Sequence, residues 1–208
     1  MLRLMRGSRA ARLAVGMLLL LTLPRPARPQ STSRATIDAR ALVAAAVAQT
    51  RSPVIYDGSY RRIAYPGGDV PESIGVCTDL IIRAYRRVGV DLQVEVHEDM
   101  KRGFGAYPQL WGMSRPDPNI DHRRVPNLQT FFRRAAAELP TSRDAAAYRP
   151  GDLVTWMLTG NLPHIGIITG DTSRAGTPLV VHNIGRGPEI EDALFSYRIT
   201  GHYRFRTR

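Results

Sequence analysis

The order of the hydrophobic patterns predicts an α+β domain, with helices from the first half packed on an antiparallel sheet from the second. Three observations lead there. Apolar residues recur at helical spacing in several segments between residues 36 and 139. Runs rich in β-branched and aromatic residues, punctuated by glycine, fill residues 153–205. The two kinds of segment do not alternate, which argues against a series of βαβ units. A chain of 208 residues is long enough to bury one real core.

TIDARALVAAAVAQT, Thr36 to Thr50, reads as a helix capped by Thr36, with Ile37, Ala41 and Ala44 on one face. YDGSYRRIAYPGGDVPESIG follows, and its Gly and Pro residues predict an ordered loop. In VCTDLIIRAYRRVG, Ile81, Tyr85 and Val88 share a helical face, Thr78 and Asp79 suit a first turn, and Gly89 supplies the stop. Cys77 therefore falls at or just before a helix N-terminus. A further helix is expected from Asp91 to Arg102 with Leu92, Val96 and Met100 inward. PDPNIDHRRVPN is a loop, and LQTFFRRAAAEL a third helical pattern after it. Leu153 to Leu158, HIGIITG, PLVVHNIG and SYRITGHYRF read as strands.

The chain begins with an export pattern. Arg3, Arg6, Arg9 and Arg12 precede a short apolar run, Leu13 to Leu23, which PRPARPQS breaks. Residues 1–30 are expected to be a signal peptide, cleaved somewhere between Ala27 and Ser33, which leaves residues 31–208 as one domain. Its destination would be the periplasm or the exterior. The formal net charge of +11 shrinks with the leader, whose six arginines bring no acid with them. What remains is a modest excess of arginine with no clustered basic stripe, so nucleic-acid binding is not expected. A lone cysteine in an exported chain cannot close an internal disulfide, which turns attention to Cys77 as a reacting group.

A helix N-terminus lowers a thiol pKa and offers free N–H groups to an oxyanion. An imidazole would shuttle the proton, and a third polar group would orient that imidazole. His164 opens an apolar strand, and His182 lies on the next strand, where it can reach the His164 ring. Asn183 points to the opposite face of that strand and competes with His182 for this role. His97, Glu98 and Asp99 lack the paired histidines of a helical zinc site, so neither metal nor cofactor is expected. In NIDHRR, residues 119–124, Asp121, His122, Arg123 and Arg124 are candidate substrate contacts; a bidentate arginine grip on a substrate carboxylate is the form this would take. The alternative for that segment is a loop stapled by Asp–Arg and His hydrogen bonds.

From Tyr65 to Ile184 the motifs YPGGD, GVCTD, RPGDL, PHIGI and VHNIG follow one another in the order found in the NlpC family of papain-like cell-wall cysteine peptidases, which the chain resembles. Over its whole length it also resembles the narrower bacterial group known as domain of unknown function 1287. The NlpC resemblance implies a papain-like fold, with Cys77 as nucleophile, His164 as base, His182 as orienting residue and Tyr65 beside the oxyanion. With export, it implies hydrolysis of an amide bond in a peptidoglycan stem peptide, without a cofactor. An amidase or acyltransferase on the same site, or an inactive wall-binding module, are the alternatives. Thr78 and Asp79 stand where the family has Ser-Gly. A carboxylate there would raise the thiol pKa unless an arginine pairs with it, and Asp79 is a further candidate substrate contact.

Overall fold

The computed structural model describes residues 36–205, which belong to one compact unit. The expected leader lies outside the described residues. In chain order the elements are α1 (Ala39–Val47), β1 (Ile55–Tyr56), β2 (Ile74–Gly75), α2 (Cys77–Arg87), α3 (Leu92–Gly103), α4 (Val125–Arg134), β3 (Glu138–Leu139), β4 (Leu153–Leu158), β5 (Leu162–Thr172), β6 (Pro178–Asn183), β7 (Pro188–Glu191) and β8 (Arg198–Tyr203), with short 3-10 turns between. Strands β3 to β8 form one antiparallel sheet in the order β3-β8-β4-β5-β6-β7. The α+β class expected from the sequence is the observed one. Among the described residues no helix is long and apolar enough to cross a membrane.

Both faces of the sheet are covered. Leu153, Ile165, Ile167, Val181 and Tyr203 form one core with the inward residues of all four helices, including Leu42, Ile81, Leu92 and Phe132. Val154, Trp156, Ile168 and Val180 pack on the opposite side with Tyr148 and Leu194. The alternation of strand side chains assigns odd-numbered residues of β4 and β5 to the helices and even-numbered ones to the second layer. That alternation puts His164, two residues before Gly166, on the Trp156 side of β5.

Several elements differ from their sequence reading. Asp38, not Thr36, caps α1, its carboxylate accepting from the Arg40 amide at 2.9 Å. Leu42 and Ala46 face inward, while Ala41 and Ala44 are exposed. The third helical pattern begins three residues early and stops at Arg134. Ala136 then takes a left-handed φ of 55°, and Glu138–Leu139 pair with β8 as an edge strand. Propensity favoured helix for the Ala run, but the ladder offered by β8 overrode it. The expected loop between α1 and α2 carries a two-residue parallel ladder, Ile55 opposite Ile74 and Tyr56 opposite Gly75.

Candidate active site

Cys77 is the first residue of α2, where the first-turn amides have no intrahelical partner. Asp79, third in the helix, reaches back to accept from the Val76 amide at 2.7 Å, which fixes the entry of the chain into the helix. The thiol is buried, only 3% of Cys77 being exposed. Burial pushes its pKa up to about 11, against opposing hydrogen bonds from the Ile165 amide, the Tyr56 hydroxyl and the Thr78 amide. Ile165 follows His164 directly on β5, so the helix start and the histidine strand meet at the sulfur. Tyr56 arrives through the β1–β2 ladder, which sets it opposite Gly75, two residues before the cysteine. Its hydroxyl also faces the Cys77 amide, and burial together with the thiol raises its pKa.

The histidines form a relay. His164 Nε2 lies 2.8 Å from His182 Nδ1, and His182 Nε2 lies 2.8 Å from Glu191 Oε2. Strand pairing explains the reach. Gly166 is opposite His182 and Val180 is opposite Glu191, so the three side chains project from one face along a diagonal of neighbouring strands. Gly166 leaves the gap that the His182 ring spans. A Cβ there would come within 2.6 Å of Val180 Cγ1 and 3.1 Å of His182 Cβ. Trp156, paired with His164 across β4 and β5, tilts its ring against His164 at 6.0 Å. Burial, then the neighbouring His182, lowers the His164 pKa to about 3. His182 is also lowered by burial, against the raising effect of Glu191. At neutral pH the resting site therefore holds a thiol and a neutral imidazole.

A family model described as "Domain of unknown function (DUF1287)" matches residues 43–205. The chain belongs to the DUF1287 family. It is 53% identical over 157 residues to the uncharacterized protein YijF of Escherichia coli (strain K12), covering 76% of this chain and 77% of that protein. Among solved structures, NlpC1 from Trichomonas vaginalis aligns with 81% of this chain at 15% identity and a TM-score of 0.45. This chain spans 44% of that longer protein.

Four of the remaining candidates in this DUF1287 chain pair with one another, Asp79 with Arg123 and Asp121 with Arg124. Asp79 and Arg123 form a buried two-point ion pair, Nε to Oδ1 at 2.8 Å and Nη2 to Oδ2 at 2.9 Å. Arg123 also donates to the carbonyls of Ser59 and Asp57, and its own carbonyl accepts from the Thr78 hydroxyl. Neither Asp79 nor Arg123 is free to grip a substrate, which corrects that expectation. The pairing meets the condition under which a carboxylate beside the thiol is tolerated. Asp121 accepts from the Asp117 amide and from Arg124, whose guanidinium lies 4.0 Å over the Trp111 ring. His122 is buried, and burial, then Arg123, lowers its pKa to about 4. The Asp and Arg side chains of NIDHRR thus act as a staple, the second of the two readings its sequence offered, whereas the buried His122 Nδ1 has no hydrogen-bond partner among the described residues.

Tyr65 does not approach the thiol. Its hydroxyl donates to Glu98 at 2.8 Å and its ring meets the edge of His97. The tyrosine at the sulfur is Tyr56. Asn183 turns the other way from His182, donating to the Gly75 carbonyl at 3.4 Å and accepting from the Gly185 amide. His182 therefore holds the position for which the two competed. Glu191 had no signal of its own, because PEIE is too short to show strand alternation. Among the described residues no group of His, Cys, Asp and Glu is arranged to hold a metal ion.

Proposed function

We propose that this chain is an exported cysteine hydrolase that cleaves an amide bond in a peptidoglycan stem peptide through an acyl-thioenzyme. The observation that carries the reading is the meeting of Cys77, at the start of α2, with the strand of His164, whose Nε2 is held by His182. The motif order shared with NlpC-type peptidases supports it, as does the charged, then apolar, N-terminal segment.

In this reading the sulfur attacks the amide carbonyl carbon as His164 accepts the thiol proton, since the resting pair is neutral. The developing oxyanion is met by the Cys77 amide and the Tyr56 hydroxyl. His164 returns the proton to the leaving amine as the C–N bond breaks, leaving a thioester. Water, deprotonated by His164, then attacks the thioester. Collapse releases the acid and restores the thiol. Asp79 contributes indirectly: paired with Arg123, it anchors the helix start that presents the sulfur.

A second reading, a wall-binding module with a silent site, is favoured by one observation. Cys77 is 3% exposed, and its thiol is pushed up to about 11. Incubating peptidoglycan fragments with the mature chain, Cys77→Ala and His164→Ala, followed by mass spectrometry, separates the two. New peptides from the wild type alone are expected. Bound but intact fragments with all three would favour the binding module, and wild-type cleavage by Cys77→Ala would end the mechanism. A transferred acyl group in place of added water would mark an acyltransferase.

A further inference from the structure

The relay does not end at the two histidines. Its outer member is Glu191 on β7, one of the two edge strands of the sheet, and the carboxylate is held from two sides: His182 Nε2 at Oε2, 2.8 Å, and Arg186 Nη2 at Oε1, 3.2 Å. Arg186, from the turn between β6 and β7, also binds Glu189 at 3.1 Å. The groups around His182 are therefore His164 from β5, Trp156 from β4, Glu189 and Glu191 from β7, and Arg186 from the turn. Of these, only Glu191 meets Nε2.

We propose that Glu191 is a positioning residue that sets the tautomers of both site histidines. The argument follows from donor and acceptor inventory. A carboxylate bound by an arginine accepts hydrogen bonds, so His182 presents Nε2–H to it. A neutral His182 then has its lone pair on Nδ1, the atom 2.8 Å from His164 Nε2. His164 must supply the proton for that contact, which leaves its Nδ1 as the lone-pair nitrogen. Reversing the outermost bond reverses both rings: His182 would donate through Nδ1, and His164 would carry its proton on Nδ1, where it cannot accept one from a thiol. The effect on turnover rests on the hydrolase reading; the effect on ring protons does not.

Glu191→Gln is the sharpest test, because its amide can donate to His182 Nε2 and impose the opposite tautomers at nearly equal shape. Ring-nitrogen NMR of the mature chain labelled with 15N-histidine, at pH 7, reports which nitrogen carries hydrogen. The wild type should show His182 protonated at Nε2 and His164 at Nε2, and Glu191→Gln should move both to Nδ1. Turnover of peptidoglycan fragments should fall on the order of ten- to a hundredfold in kcat with KM held. Glu191→Asp should recover part of the loss, and Glu189→Gln, which leaves the relay intact, should match the wild type. Identical ring protonation in the wild type, Glu191→Gln and Glu191→Ala would overturn the proposal whatever the turnover. Ring protons that follow Glu191 in a chain that cleaves no fragment would uphold it and overturn the hydrolase reading instead.

Discussion

Two histidine–carboxylate–arginine clusters sit on the same sheet, and they are built for different ends. At one, His182 Nε2 meets Glu191 at 2.8 Å and Arg186 holds the acid. At the other, His202 Nε2 meets Asp152 at 2.7 Å and Arg204 clamps the acid at 2.7 and 2.8 Å. The contacts to the carboxylates are nearly the same. The remaining nitrogen decides the role. His202 Nδ1 lies 3.2 Å from the Pro140 carbonyl, so both of its ring nitrogens face oxygen acceptors and neither faces a second ring. His182 Nδ1 faces a second ring, His164, and can pass on a tautomeric preference. Exposure differs in the same sense. Asp152 is wholly buried, whereas the Glu191 side chain is 34% exposed at a sheet edge. Burial raises a carboxyl pKa, but the bonds from His202, Arg204 and the Arg149 amide outweigh it and hold Asp152 below its ordinary value.

The widest separation between the clusters should be kinetic. Under the proposed mechanism, His164→Ala lowers kcat on peptidoglycan fragments by roughly 10³- to 10⁶-fold, because there the nucleophile and its base act as a unit. His202→Gln should leave kcat within about threefold once folded protein is compared, since its ring reaches no reacting atom. Comparable kinetic losses in both variants would erase the distinction between the two clusters.

Stability should rank the clusters in reverse. Asp152→Ala leaves Arg204 and His202 around an empty acceptor site in the interior, at a cost of about 3–5 kcal/mol. Glu191→Ala, at a partly open edge, should cost under about 1 kcal/mol. Urea unfolding of the two variants checks this, and equal midpoints would mean that the Asp152 cluster holds nothing together.

How much of this was legible beforehand follows the same divide between local and distant contacts. Cys77, His164 and His182 sit in elements whose periodicity shows in the sequence, and the strand carrying HIGI could be placed beside the one carrying VVHN. The Asp79–Arg123 pair joins residues 44 apart, and no spacing rule reaches that far. The sequence therefore offers NIDHRR as substrate contacts or as a staple, without naming Asp79 as the partner of Arg123. Tyr65, in YPGGD, is the oxyanion candidate that the NlpC resemblance implies. Tyr56 reaches the thiol through a two-residue parallel ladder, which is too short to leave a pattern. Glu191 lies in a four-residue edge strand for the same reason.

Acid should weaken the fold through two histidines whose charged form burial disfavours. The pKa values of His122 and His164 fall from 6.5 to about 4 and about 3, with burial the main cause. Between those values and 6.5 the unfolded chain binds more protons than the folded one. Stability is therefore complete above pH 6.5 and declines as pH falls, by up to about 1.4 kcal/mol per pH unit for each group. Urea midpoints at pH 7, 6 and 5 should show the decline, and His122→Leu should remove about one group's share of the slope. A slope unchanged by that substitution would place the loss elsewhere.

The smallest effect tests the outermost contact. Arg186 is 73% exposed and binds Glu189 and Glu191 through a flexible side chain open to solvent. Surface pairs of this kind contribute roughly 0–1 kcal/mol, so Arg186→Ala should leave the unfolding midpoint almost unmoved. Arg204, 26% exposed and bonded twice to a buried acid, should cost several times more when changed to alanine. The kinetic expectation for Arg186→Ala is a fall of about two- to threefold in kcat, because Glu191 keeps its bond to His182 and loses only one of two restraints. Raising the salt concentration should reproduce that small loss in the wild type and add nothing in the variant, since screening removes the same exposed attraction. A large loss of activity in Arg186→Ala would instead show that the arginine, not the packing of β7 against β6, holds Glu191 in place.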